Sequence, residues 1–72
     1  MKFYSVDRKL NRFNDYIRGE LKRRKLSQDE IAYRLGITQT GLSKRLSGKV
    51  VWSLTEVILL CEILEIKETW DV

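Results

Sequence analysis

One short stretch concentrates polar chemistry with no acid in it: Gln39, Thr40, Ser43, Lys44 and Ser47. On a helical period these side chains fall opposite Leu42 and Leu46, which repeat at i and i+4. A carboxamide, hydroxyls and an ammonium together offer donors, acceptors and positive charge. That set suits a surface meeting a polyanion whose edges can be read by hydrogen bonds.

Catalytic chemistry is missing. The chain has no histidine, the commonest general base. Its carboxylates stand beside basic residues on predicted solvent faces. No glycine-rich phosphate loop and no Cys/His cluster is present, so neither a cofactor nor a metal is expected. Cys61, the single cysteine, cannot form an internal disulfide and reads as a small buried hydrophobe in a reducing, cytoplasmic setting. No apolar run approaches a membrane span, and the N-terminus lacks a signal-peptide core. An enzyme, a membrane protein or a partner to a small-molecule substrate is not expected.

The elements that must position the polar stretch run from Ser27 to Gly48. Ser27-x-x-Glu30 reads as a capping box opening a helix at Gln28. Within that helix Ile31, Ala32 and Leu35 form a narrow apolar face. Gly36 stands where the helix must stop in a left-handed conformation. Thr38 caps the next helix, 39–47. Ala32 is small enough for a second helix to cross closely. A generic helical hairpin would share part of this pattern; the fixed offsets favour a helix-turn-helix.

The stretch resembles the helix-turn-helix of the lambda-repressor-like (Cro/Xre-type) DNA-binding family. The matching residues are Leu26-Ser27-Gln28, Ala32, Leu35-Gly36-Ile37, Gln39, Leu42 and Ser47-Gly48-Lys49. The likeness continues through Ser53-Leu54, Val57-Ile58, Ile63-Leu64 and Ile66. Two departures stand out: Arg45 occupies a usually apolar position, leaving packing to Leu46, and Glu65 replaces the usual glycine after the fourth helix. The resemblance implies an all-α, compact five-helix domain over 1–72, with the motif at 27–48 in helices 2–3.

The remaining chain fits that expectation. Residues 1–49 carry thirteen Lys or Arg against five Asp or Glu, whereas residues 50–72 carry one lysine against five acids. The basic part coincides with the polar stretch, as a phosphate footprint would. Phe3, Tyr4 and Val6 read as packing residues rather than a DNA arm. A first helix is expected from Asp7 to Lys25, with Leu10, Phe13, Ile17 and Leu21 inward and Gly19 exposed. Its Lys22-Arg23-Arg24-Lys25 run serves equally as a solvated helix end or a phosphate contact. Ser53-x-x-Glu56 is a second capping box, opening a helix that turns Leu54, Val57, Ile58, Cys61 and Leu64 inward. One more turn or helix, anchored by Trp70, is expected from Ile66 to Val72.

The resemblance implies a sequence-specific regulator of double-stranded DNA. Gln39 would pair with adenine, and Thr40 and Ser43 would reach base edges. Gln28, Lys44, Lys49, Arg23 and Arg24 would meet phosphates. The apolar Val50-Val51-Trp52 connection, with Leu59 and Trp70, would contact a second copy or another regulator. The alternative is a modulator of repression from a bacteriophage genetic switch, binding a repressor protein instead of, or together with, DNA.

Overall fold

The computed structural model describes residues 3–66, with side chains from Arg8 onward. All the described secondary structure is helical: α1 (Phe3–Arg23), α2 (Gln28–Leu35), α3 (Gln39–Leu46) and α4 (Leu54–Ile63). The described residues thus hold four helices rather than five. The further turn expected at the C-terminus falls largely on residues 67–72, which with Trp70 lie outside the described residues.

Helix α1 starts at Phe3, so Asp7 lies inside it and no acid occupies its first turn. The apolar spacing Phe3, Val6, Leu10 and Phe13 carries the stripe upstream of Asp7, which the expected boundary overlooked. Ile17 and Leu21 are buried, Leu10 and Phe13 partly so, and Gly19 is exposed, as the periodicity predicts.

The inner helices begin and end as their caps dictate. Ser27 Oγ accepts the Glu30 amide at 3.1 Å and Thr38 Oγ1 accepts the Gly41 amide at 2.9 Å. Ser27 forms only half of the expected capping box, because the Glu30 carboxylate is turned outward to Arg34 Nη2 at 2.7 Å. The Ser53–Glu56 box is complete, with both reciprocal hydrogen bonds in place.

All four helices stop in the same way. One or two residues after each helix end the backbone enters the left-handed region: Lys25 (φ 58°), Gly36 (74°), Gly48 (85°) and Glu65 (56°). The next amide then reaches back to a carbonyl five residues earlier: Leu26 to Leu21, Ile37 to Ala32, Lys49 to Lys44 and Ile66 to Cys61. This pair of features is the Schellman stop. Leu26, Ile37 and Ile66 also pack against the core, the apolar contact that usually accompanies such a stop.

The core gathers Ile17, Leu21, Ile31, Ala32, Leu35, Leu42, Leu46, Trp52, Leu60 and Leu64. Helix α3 packs on both α1 and α2, and α2 also meets α4. Leu46 is 3% exposed and takes the packing role that Arg45 cannot. In α4 Leu60 and Cys61 are buried, as is Leu64 just after it, and Val57 is partly so, but Leu54 and Ile58 face solvent at 67% and 42% exposure. That corrects the inward placement expected for both. Helix α4 is apolar on nearly every side, so its sequence period does not single out one face.

Candidate nucleic-acid interface

Helices α2 and α3 are joined by Gly36, Ile37 and Thr38, with Ile37 partly buried beneath the turn. Beyond the turn, Gln39, Thr40, Ser43, Lys44 and Ser47 are all exposed while Leu42 and Leu46 enter the core. The polar set therefore forms one solvent face of α3, ending at Leu46 with Ser47 as its C-cap rather than at Ser47 itself. No acid lies in the first turn of α3. Its positive dipole end and exposed first-turn amides favour an anion there.

Two arginines tie this helix to its neighbours. Arg18 of α1 donates through Nη2 to the carbonyl of Leu46, at the negative end of α3. Arg45 donates from Nε and Nη2 to the two carboxylate oxygens of Glu56 in α4, at 2.8 and 3.0 Å. Its Nη1 donates to the Gly41 carbonyl at 2.9 Å. A Cβ on Gly41 would come within 3.1 Å of Thr38 Oγ1 and 3.2 Å of Arg45 Nη1, so glycine leaves room for cap and guanidinium together. The side-chain hydrogen bond from Arg45 holds the Glu56 carboxyl below its ordinary value, against a smaller upward push from burial. Sequence reasoning missed this arrangement. Gly41 and Arg45 lie at i and i+4, but the link from Arg45 to Glu56 requires the packing of two helices.

The candidate phosphate ligands divide into two groups. Gln28, Lys44 and Lys49 are exposed, and no ion pair engages either lysine among the described residues. Arg23 and Arg24 instead converge on Glu20, with Arg23 Nη2 at 2.6 Å and Arg24 Nε at 3.0 Å from its Oε1. Hydrogen bonds from both guanidiniums pull the Glu20 carboxyl down, and the carboxylate in turn pushes the Arg23 group up. The trio keeps one net positive charge at the end of α1. Asp29 and Glu30 occupy the first turn of α2 beside Gln28, which weakens that helix end as an anion site.

The connection after α3 differs from expectation. Trp52 is 7% exposed, stacks edge-on against Phe13 at 6.2 Å between ring centroids, and donates from Nε1 to Asn14 Oδ1 at 2.7 Å. It is a core residue, which removes the reason for assigning it to a partner contact. Leu59 is half-buried against the same core. Exposed apolar surface sits instead on Val51 (67%), with Leu54 and Ile58 on α4 and Val50 at the margin.

The helix-turn-helix family model of Cro/C1 type matches residues 17–70, well over half of the chain. The chain belongs to that family, whose members are DNA-binding regulators rather than typical enzymes. No curated protein and no solved structure matches it. No described helix is long and apolar enough to cross a membrane, and no group of His, Cys, Asp or Glu among the described residues could hold a metal ion.

Proposed function

We propose that this chain is a sequence-specific transcription regulator of the phage repressor or Cro sort, with α2 and α3 as its helix-turn-helix. The acid-free solvent face of α3, held from behind by Arg18 and Arg45, carries the reading. A rigidly seated helix presents base-reading groups in a fixed register, which discrimination between base pairs requires. Gln39 pairs with adenine, and Thr40 and Ser43 meet neighbouring base edges. Lys44 and Lys49 take phosphates, Gln28 adds a neutral contact, and the Glu20–Arg23–Arg24 cluster supplies long-range attraction.

Val51, Leu54 and Ile58 favour association with a second copy. A two-fold pair places two recognition helices on half-sites one helical turn apart. The same surface supports the alternative, a modulator that binds a repressor protein, because acidic Glu62 and Glu65 come after it on a chain otherwise basic.

Anisotropy titration of duplex DNA over a series of salt concentrations tests the DNA reading. Two lysine–phosphate contacts and the one net charge of the Glu20 cluster predict a log–log slope of roughly −2 to −3 per protomer. Absence of binding at low salt removes the DNA reading and leaves the modulator.

A further inference from the structure

A cleft of about 300 Å³ opens between α1 and the connection after α3, bordering the polar face of α3 at Ser47. Its walls are Leu10, Asn11 and Asn14 on one side and Ser47, Gly48 and Val50–Trp52 on the other. In a chain that is one-third charged, no charged residue lines it. The volume lies at the lower end of the range for small-molecule sites, and the lining mixes polar and apolar groups with the polar share the larger.

Asn14 gives the cleft its chemistry. This side chain is 4% exposed, and its carboxamide oxygen already accepts the Trp52 indole N–H. Among the described residues its amide nitrogen makes no hydrogen bond, yet no fully buried side-chain nitrogen or oxygen is left without a partner. The amide nitrogen of this lining residue is therefore not sealed in the interior, and it has two N–H donors to offer toward the cleft. Gly48 lies across the cleft from Asn11, where a Cβ would meet Asn11 Oδ1 at an ordinary contact distance of 3.8 Å.

We propose that this cleft binds an uncharged small polar molecule with a carbonyl acceptor, the carbonyl taking a hydrogen bond from the Asn14 amide. A charged ligand would lose its hydration with no counter-charge in the lining to offset the loss. The cleft lining includes none of Gln39, Thr40 and Ser43, the proposed base-reading residues, and its test needs no DNA.

Benzamide and benzoate, nearly equal in shape and differing in charge, are suitable probes. Titrated into the ¹⁵N-labelled full chain without DNA, benzamide should shift the Asn14 side-chain amide, Gly48, Val51 and Trp52 indole signals saturably. Benzoate should bind at least tenfold more weakly. Asn11→Phe, at an exposed helical position, should fill the mouth and abolish the shifts with helical content unchanged. Asn14→Asp should retain an acceptor for the Trp52 indole while removing the free donor, and so lose benzamide binding with the indole signal in place. Equal binding of both probes, non-saturating shifts spread over the chain, or binding that survives both substitutions would overturn the proposal.

Discussion

Arg45 and Glu56 meet through two guanidinium nitrogens, Nε and Nη2, and both carboxylate oxygens, with side chains only 17% and 16% exposed. This pair joins the candidate reading helix to the first turn of α4. Removing one member leaves the other charge largely desolvated and unpaired. Arg45→Met should therefore destabilise the fold by roughly 2–4 kcal/mol, at or just below the usual range for a broken buried pair. Adding Glu56→Gln should recover part of the loss. Urea unfolding measures both, and a single-variant effect within about 0.5 kcal/mol would contradict the pairing.

Acid should weaken the fold through the same carboxylate. Hydrogen bonds from arginine hold Glu56 and Glu20 below their ordinary value of 4.5 in the folded state. The folded chain then binds fewer protons than the unfolded chain around that pH. The stability these groups contribute is present above 4.5 and is lost as pH falls through their folded values. With no histidine in the chain, the urea midpoint should change little from about pH 8 to 5.5 and then decline. Glu56→Gln should make that decline shallower; an equally steep fall would assign the acid sensitivity elsewhere.

Glycine substitutions should act with opposite signs at two positions. Gly19 lies within α1, and a Cβ there meets nothing within 4 Å. Gly19→Ala should stabilise by about 1 kcal/mol. Gly36 is left-handed, so Gly36→Ala should destabilise by about 1–2 kcal/mol despite equally open space. Glu65→Gly should relieve backbone strain and gain about 0.5–1 kcal/mol. Thermal melts of the three variants should rank them in that sense.

Trp52 should behave as core. Trp52→Ala removes a buried ring and leaves the Asn14 carbonyl without its donor, so a loss of about 3–5 kcal/mol is expected. Circular dichroism should report that loss at any protein concentration. Val51→Ser should instead leave the melt within about 0.5 kcal/mol and weaken self-association in sedimentation. The reverse pattern would return Trp52 to an interface.

On DNA, Gln39→Ala should cost about 1–3 kcal/mol at a specific site and relax preference at one base pair. Lys44→Ala should weaken all sequences alike and flatten the salt slope by about one unit. A uniform loss from both would mean that Gln39 does not read a base.

The middle of the chain is its most legible part. Ser27, Gly36 and Thr38 are residues whose side chains or backbone freedom decide where helices start and stop, so α2 and the start of α3 emerge from local chemistry. The phase of Leu42 and Leu46 likewise places the polar face outward. The start of α1 is not legible, because no strong cap marks Phe3. Nor is the inward face of α4, whose abundance of apolar residues hides its orientation. Trp52 escapes a local reading because a loop residue's burial depends on what another element offers, here Phe13 and Asn14. The Glu20 cluster carries a usable signal, since Arg23 and Arg24 stand three and four residues after Glu20 on one helix.

The four helix ends share one stop, but the turn after α3 is anchored differently from the others. Where the other three turns pin Leu26, Ile37 or Ile66 against the interior, this turn places Lys49, whose side chain is exposed. The Lys44 carbonyl meanwhile accepts from the Lys49 amide, the Val50 amide and the Ser47 hydroxyl together. The turn after α3 thus lacks that apolar latch and gathers three donors on one carbonyl oxygen. Amide exchange with solvent should enter the molecule's helical interior there first, and a phosphate held by Lys49 would slow it.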